Sequence, residues 1–305
     1  MCPPAFDPEV DVIIAAYRAE QTIRRAVESA RSQTVAPRSI WVVDDGSPEP
    51  LEPLLQGSGV VCVRQENGGP GAARNRAIRA SRAEWIALLD ADDRWEPEKL
   101  ERQLAALQLC GADVACSDAW VERDDRRLWR FSRGRSIPGR LGVTDVVSIG
   151  GFCASSFLLR RRIWEACGGF SERREMIAAE DFDLWLRCAA RSPICYVDEP
   201  LVTYEDRPTS LCKSAGFAGA VESALSQLLE RDRSPEMRQH ALRARARLAR
   251  DQAYDQLRRG SFAEARSSAA RSIRYQPSSW ASWKMLARAV LRRPPTDPRE
   301  AMRDS

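Results

Sequence analysis

Apolar residues in the first part of the chain recur with two different periods, and the two patterns alternate. Compact apolar runs bounded by turn residues predict strands, whereas apolar residues three or four positions apart predict helices. A helical segment or a loop follows each run, so the order is strand, helix, strand, loop, strand, helix, strand and helix. The predicted strands are VDVIIAA (residues 10–16), SIWVVDDGS with its terminal turn (39–47), VVCVR (60–64) and WIALLD (85–90).

Three stretches carry the helical pattern. In the first, Ile23, Val27 and Ala30 recur at helical spacing. A glycine loop leads into the second, at residues 71–81, and Pro97 opens the third because proline is tolerated in the first turn of a helix. Strands that alternate with helices favour a mostly parallel sheet with helices on both faces. The predicted fold class is therefore α/β.

Length and terminal sequence narrow the class of protein. The 305 residues allow one large domain or one domain with an appendage, and no run approaches the roughly 20 apolar residues that span a bilayer. The N-terminus MCPPAFDPEVD has no basic-then-apolar signal pattern. We therefore expect a cytoplasmic protein that is either soluble or peripheral at the inner face of the membrane.

Cysteine and histidine usage limits the available chemistry. The nine cysteines include no C-x-x-C pair, which argues against a zinc site and against a disulfide framework. The single histidine, His240, lies far downstream in a basic segment, where we expect an inert surface residue. Histidine-based triads and histidine metal sites are disfavoured, so any catalysis is expected to use carboxylates.

Acidic residues directly follow two of the predicted strands. Asp44 and Asp45 end one strand, and Asp90, Asp92 and Asp93 end another. Ligands of such sheets bind at the carboxyl ends of strands, so we expect both clusters at one sheet edge. Acids that cap turns and helix N-termini are the plainer alternative for either cluster alone. A hard divalent cation, Mg²⁺ or Mn²⁺, would offset the clustered charge and would imply a phosphorylated substrate.

Five motifs in succession resemble those of family 2 glycosyltransferases, which have the GT-A fold. The resemblance extends from about residue 10 to residue 212, roughly two thirds of the chain. It implies a metal-dependent, inverting enzyme of the hexosyltransferase class that moves sugar from a nucleotide-sugar donor to a hydroxyl acceptor in polysaccharide or glycoconjugate biosynthesis. The motifs are IIAAYRAEQTIRRAVESARSQT, WVVDDGS, ENGGPGAARN, ALLDADD and AAEDFDLWLRCA.

The resemblance also implies roles for individual residues. Asp181, at the head of a helix, is the expected general base that takes the proton of the acceptor hydroxyl, with Glu180 as the alternative. Asp92 of the D-x-D element is the expected Mn²⁺ or Mg²⁺ ligand, and Asp93 is a neighbour or a supporting residue. The other positions expected at the nucleotide sugar are Ala16, Tyr17, Asp44, Asp45, Asn67, Gly71, Arg74, Asn75, Asp90, Ala91 and Arg207.

Donor and acceptor follow from the same resemblance. A UDP sugar is the expected donor because uracil is the commonest base in the family, and Asp45 is the expected contact of the base. Attack from the face opposite the diphosphate implies inversion in one displacement. Glycan, glycolipid and glycopeptide acceptors stay open, and no nucleic acid partner is expected.

Two alternatives compete with the transferase interpretation. A sugar-phosphate nucleotidyltransferase shares an α/β nucleotide-binding architecture, but it would be expected to carry a glycine-rich and basic phosphate signature near the first strand, which IIAAYRAEQT lacks. A catalytically decayed scaffold, whose helical tail recruits partners, is the other. Retention of Asp45, Asp92 and Asp181 together argues against decay.

The last third of the chain predicts helices without strands. We divide the chain into a catalytic domain (1–212), a helical extension (213–290) that resembles part of one tetratricopeptide-type repeat, and a disordered tail (291–305). Residues 238–274 carry 10 arginines against three acids. Such charge could hold the protein to anionic lipid or to a polyanionic acceptor, although a solvated basic helix face explains it equally well.

Overall fold

The computed structural model describes residues 8–294. Residues 1–7 and 295–305, the latter within the tail predicted to be disordered, lie outside the described part. Internal contacts divide the chain into two compact units, Met1–Ala224 and Leu225–Ser305. Among residues 8–294, every helix is either too short or too polar to cross a bilayer.

The first unit is built from ten strands, seven complete α-helices and three short 3-10 helices, counted over residues 8–224. Its helices are α1 (Ile23–Arg31), α2 (Glu52–Leu55), α3 (Pro70–Ala80), α4 (Lys99–Cys110), α5 (Val143–Ile149), α6 (Arg161–Cys167) and α7 (Glu180–Ala189). Its strands are β1 (Val10–Ala16), β2 (Ser39–Asp44), β3 (Val61–Arg64), β4 (Trp85–Asp90), β5 (Arg94–Trp95), β6 (Val114–Arg123), β7 (Arg126–Arg130), β8 (Arg140–Leu141), β9 (Leu158–Arg160) and β10 (Ile194–Glu205).

All ten strands join one sheet, in the order β3-β2-β1-β4-β9-β6-β10-β5, with β7 on β6 and β8 on β10. The four strands β3, β2, β1 and β4 pair in parallel, as the strand and helix alternation predicts. The short strand β9 runs antiparallel to both of its neighbours, and β5, β7 and β8 also pair antiparallel. The α/β class is therefore confirmed, with a mixed sheet whose N-terminal half is parallel.

Helices cover both faces of this sheet. The residues of β1 alternate between the two faces, and the even-numbered ones pack with Ile23 and Val27 of α1 and Leu100 of α4. Helix α3 packs on the other side of β1 and β2. Trp185 of α7 is fully buried and stacks on Phe157, with ring centroids 3.4 Å apart and planes 1° from parallel.

Strand register places the ends of β2 and β4 on either side of the end of β1. Ala16 is paired with Asp44, and Ala15 is paired with Asp90. Parallel strands share a direction, so their carboxyl ends meet at the same edge of the sheet. Both acidic clusters therefore lie at one sheet edge.

The described residues of the second unit, 225–294, form helices joined by short connections and contain no strand, as the sequence predicts. Helix α8 (Phe217–Arg231) crosses the boundary between the units, and α9 (Pro235–Arg258), α10 (Phe262–Tyr275) and α11 (Trp280–Val290) follow. Small side chains such as Ala253, Ala265 and Ala269 fill the core beside Leu257 and Met285. Alanine and serine at the contacts allow these helices to pack closely.

Candidate active site

The two acids that end β2 hold the backbone of the surrounding turn. The Asp44 carboxylate accepts hydrogen bonds from the Ser47 and Leu51 amides and pairs with Arg64 at 2.7 Å. The Asp45 carboxylate accepts hydrogen bonds from the Gly68 and Gly69 amides at 2.9 and 2.8 Å. Asp44 thus has the turn-capping role that was the plainer alternative for this cluster. The base contact expected of Asp45 stays a prediction.

The glycine loop and α3 form the second wall of this edge. The Asn67 side-chain amide donates to the Asp45 carbonyl at 2.8 Å, which ties the loop to β2. A Cβ on Gly71 would lie 2.6 Å from the Ser171 carbonyl oxygen and 3.1 Å from Cγ of Glu180. Gly71 therefore lets α3 approach the segment that leads into α7.

Asn75 on α3 makes its contacts with the same segment. Its amide donates to the Phe170 carbonyl and the Glu172 carboxylate at 2.9 and 2.7 Å, and its oxygen accepts from the Phe170 amide and the Trp164 indole. With every polar atom of its side chain in use, Asn75 positions this segment. Its expected place beside the nucleotide stays a prediction.

Arg74 connects the end of β4 to the head of α7. Its guanidinium pairs with Asp90 Oδ1 at 2.6 Å and with Glu180 Oε1 at 2.7 Å, and only 4% of its side chain is exposed. The Phe170 ring lies 5.3 Å from the same guanidinium. Burial alone would lower the pKa of Arg74, but the charges of Asp90, Glu180 and Asp181 raise it above its usual value. Arg74 stays charged and offsets the acids around it.

The two acids at the head of α7 have different surroundings. Glu180 is buried, and its second oxygen accepts from the Ala178 amide at 2.9 Å, where Ala178 has a φ of +80°. Asp181 is half-buried and caps its own turn through the Phe182 amide. Among residues 8–294, no ion pair within 4.0 Å involves Asp181.

The pKa of Asp181 reflects these surroundings. Burial, followed by the charge of Glu180, raises it to about 7, while the charge of Arg74 opposes the shift. A carboxyl with a pKa near neutrality can take up a proton at working pH and release it again. Glu180 is held in an ion pair with Arg74, and the general-base role expected of Asp181 stays a prediction.

The acidic loop after β4 contains one accessible carboxylate and one buried carboxylate. Asp92 is partly exposed, and its Oδ2 lies 3.9 Å from Nε of Arg207. Asp93 is buried and accepts from the Ser155 hydroxyl at 2.6 Å and from the Glu205 amide at 3.0 Å. Asp93 thereby fastens the loop to the end of β10, which leads to Arg207.

The charges of this loop favour a cation. Burial and then the charge of Asp90 raise the pKa of Asp92 to about 6, and burial and then Asp92 raise the pKa of Asp93 well above its usual range. Within the described residues, no cluster of three or more acidic, cysteine or histidine side chains forms a closed metal site. The donor set fits Mg²⁺ or Mn²⁺ held by one carboxylate, with phosphate and water as the other ligands.

Three remaining expected residues lie at the rim of this edge. Tyr17 is 47% exposed just after β1, whereas Ala16 and Ala91 are buried with their backbones at the strand ends. These residues therefore lie at the same sheet edge as the acids, the glycine loop and Arg207. Every residue of the expected site therefore lies on β1, β2, β4, α3 or α7, in a loop that adjoins one of them, or in the segment after β10.

Sequence reasoning missed Ser155, Glu205 and Arg25. The Ser155 hydroxyl accepts from the Asp90 amide at 2.9 Å and donates to Asp93, so it sets the course of the acidic loop. Arg25 of α1 pairs with Glu205 at 3.2 Å. The run ASS in GGFCASSFLL is the one local signal for Ser155, and nothing local indicates a pairing between residues 180 positions apart.

Comparison with known proteins gives a family match over this region. Residues 11–168 match the model described as glycosyl transferase family 2, and residues 143–230 match one described as glycosyltransferase like family 2. The succinoglycan biosynthesis protein ExoO of Rhizobium meliloti (strain 1021) is 40% identical over 139 residues, which are 43% of this chain and 40% of that protein. The chain therefore spans less than half the length of ExoO.

A second relative and a solved structure extend the comparison. The Escherichia coli UDP-Glc:alpha-D-GlcNAc-diphosphoundecaprenol beta-1,3-glucosyltransferase WfaP is 32% identical over 186 residues, covering 60% of this chain and 70% of WfaP. The crystal structure of S. aureus TarS 1-349 superimposes with a TM-score of 0.64 at 17% identity, over 93% of this chain and 87% of that one. These similarities confirm the GT-A fold.

The close approach of α3 generates the first prediction. Gly71→Ala should lower the free energy of unfolding by about 1–3 kcal/mol, because the added methyl must displace the Ser171 backbone. Gly139→Ala is the matched control, since a Cβ there meets open space. Denaturant titration measures both, and equal stability of the two variants would contradict the packing role of Gly71.

The buried arginine generates the second prediction. Arg74→Met should lower the free energy of unfolding by about 3–5 kcal/mol, because it leaves the buried Glu180 carboxylate and the partly buried Asp90 carboxylate without their partner. Arg79→Met on the same helix, where Arg79 is 59% exposed, should cost less than about 1 kcal/mol. Denaturant titration measures both, and a loss at Arg74 no larger than the loss at Arg79 would contradict this account.

Proposed function

The chain belongs to glycosyltransferase family 2, and from that premise we propose that it transfers a sugar from a nucleotide-sugar donor to a hydroxyl group of a growing glycan or glycoconjugate. One observation carries the proposal: Arg74 brings the D-x-D strand end and the head of α7 together. Among residues 8–294, Asp181 then has no ion pair within 4.0 Å, and Asp92 has a single long contact of 3.9 Å, with Arg207. Those are the two carboxylates that such a transfer needs.

Asp181 is the proposed general base. Its carboxylate would accept the proton of the acceptor hydroxyl as the hydroxyl oxygen forms a bond to the anomeric carbon. The bond from that carbon to the diphosphate oxygen breaks in the same displacement, and the nucleoside diphosphate leaves. Attack opposite the leaving group inverts the anomeric configuration, and no covalent enzyme intermediate is required. Glu180 is the weaker candidate because both of its oxygens are engaged.

Asp92 is the proposed ligand of a divalent cation, with Asp93 and Ser155 fixing the loop that carries it. When bound, Mg²⁺ or Mn²⁺ would offset the negative charge that develops on the departing diphosphate. Arg207 lies 3.9 Å from Asp92, so its guanidinium is placed to reach a phosphate that approaches the same carboxylate. Asp93 is assigned to positioning because it is buried.

A UDP sugar is the proposed donor, and a lipid-linked glycan is one proposed acceptor class. The family 2 relative WfaP is named for transfer of glucose from UDP-Glc to a diphosphoundecaprenol-linked sugar. TarS 1-349 has been crystallised with UDP-GlcNAc, and that complex superimposes with a TM-score of 0.61 at 14% identity. These names support the donor class. We expect acceptor selectivity to arise in residues 124–142, which contain β7, β8 and the loop between them.

The proposed cation site predicts metal-dependent nucleotide binding. Isothermal calorimetry of the purified chain should detect UDP binding with Mn²⁺ and weak or absent binding with a chelator. Asp92→Asn should weaken binding in Mn²⁺ by about tenfold or more, because the cation loses its protein carboxylate. Asp198→Asn, which removes the same charge from an exposed position, should bind like the unmodified chain. Full UDP affinity without metal, or in Asp92→Asn, would contradict the assignment.

The proposed base predicts a specific loss of turnover. Asp181→Asn should lower kcat about 10²-fold to 10⁴-fold, with the Kd for UDP changed less than about threefold. Below about pH 7 the Asp181 carboxyl of the unmodified enzyme is protonated, so kcat should fall as pH falls and level off above it. Near-normal turnover by Asp181→Asn would instead assign the base to Glu180. If the unmodified chain neither binds UDP nor transfers sugar from a UDP sugar, the scaffold alternative would be favoured.

A further inference from the structure

Helix α11 carries its largest apolar side chains on the outside. Trp280 is 75% exposed, Trp283 is 46% exposed, and Val290 and Leu291 are more than half exposed. Successive members of this set are three, seven and one positions apart, which places them on one side of the helix. Exposed Ala287 lies on the same side, between Trp283 and Val290. We call Trp280, Trp283, Val290 and Leu291 the α11 stripe.

The inner face of the same helix is made mostly of small residues. Ala281, Ser282, Met285 and Ala289 are buried, and the Ser282 hydroxyl shares a 2.8 Å hydrogen bond with that of Ser272 on α10. If helix packing were the only constraint on α11, the tryptophans would gain most by facing inward, because they have the most apolar surface to bury. The reversed arrangement indicates a role for the outer face.

Charge around the stripe has a single sign. From Gln276 to Pro294 the chain has Lys284, Arg288, Arg292 and Arg293 and no acidic residue. The described part of the second unit, residues 225–294, contains 16 arginines and lysines against six acids. The α11 stripe is therefore apolar, rich in tryptophan and set in a strongly basic surface.

The size of the stripe bears on what can cover it. Two partly exposed tryptophans with a valine and a leucine offer roughly 400 Å² of apolar surface, which is below the roughly 800 Å² that each partner contributes to a stable protein interface. Tryptophan prefers the boundary between headgroups and acyl chains, and basic side chains are attracted to anionic headgroups. A helix with both features lies in the plane of that boundary.

We propose that the α11 stripe docks the second unit onto an anionic lipid bilayer, with α11 lying in the plane of the interface. The tryptophans and the two aliphatic residues enter the upper acyl region, and the neighbouring basic residues contact the headgroups. This inference stands on the surface of α11 and does not depend on the proposed transfer reaction. If both are correct, the docking places the enzyme beside lipid-linked substrates.

Vesicle flotation with the full chain tests the proposal. The unmodified protein should float with phosphatidylcholine vesicles that contain about 30% phosphatidylglycerol and should stay behind with phosphatidylcholine alone. Raising NaCl from about 50 to about 500 mM should reduce the bound fraction, because screening weakens the headgroup attraction. Trp280→Ser with Trp283→Ser should lower partitioning by about tenfold or more, and Arg292→Gln with Arg293→Gln should lower it less and reduce the salt dependence.

Leu109→Ser is the matched control, because Leu109 is an apolar residue 92% exposed on α4 of the first unit. It should leave partitioning unchanged, and UDP calorimetry on each variant reports separately on folding and on the proposed function. No flotation of the unmodified chain on anionic vesicles, or flotation unaffected by the tryptophan substitutions, would overturn the proposal. Concentration-dependent dimers in sedimentation velocity that the same substitutions abolish, without vesicle binding, would assign the stripe to a second copy of the chain.

Discussion

The paired contact of Arg74 with Asp90 and Glu180 is the interaction on which the rest of the site depends. It joins the end of a central strand to the head of α7 through one buried guanidinium, across a sequence separation of 106 residues on one side. A buried ion pair adds little net stability relative to an apolar contact, but an unpaired carboxylate in its place would be costly. Glycine at position 71 allows the two segments to approach closely enough for this bridge.

The bridge also separates the roles of four neighbouring carboxylates. Asp90 and Glu180 are tied to Arg74, whereas Asp181 and Asp92 keep oxygen atoms available to ligands. Burial and like charge raise the pKa of Asp181 to about 7, so proton transfer near neutral pH becomes feasible for a carboxyl group. The negative charges of Asp90 and Asp93 support the proposed cation site at Asp92. Arg74 therefore holds Asp90 and Glu180 in place, and Asp181 and Asp92 are the carboxylates left for the proposed chemistry.

Much of this organisation could be predicted from sequence where the signal is local. The strand at residues 10–16 agrees with β1 at both ends, and the acids after β2 and β4 meet at one edge as expected. Contacts between distant residues leave no local pattern in the sequence. The burial of Arg74 and the hydrogen bond between Ser155 and Asp93 were therefore not predicted. Antiparallel β9 was missed because three residues are too few to show a period.

A double-mutant cycle between Arg74 and Glu180 tests the central claim most directly. The free energy of unfolding at neutral pH is measured for Arg74→Met, Glu180→Gln and the double variant. If the buried bridge organises the site, the two substitutions should couple by about 2 kcal/mol or more, because the second removes the charge that the first leaves unpaired. Additive effects within about 0.5 kcal/mol would contradict the claim, since the two side chains would then act independently.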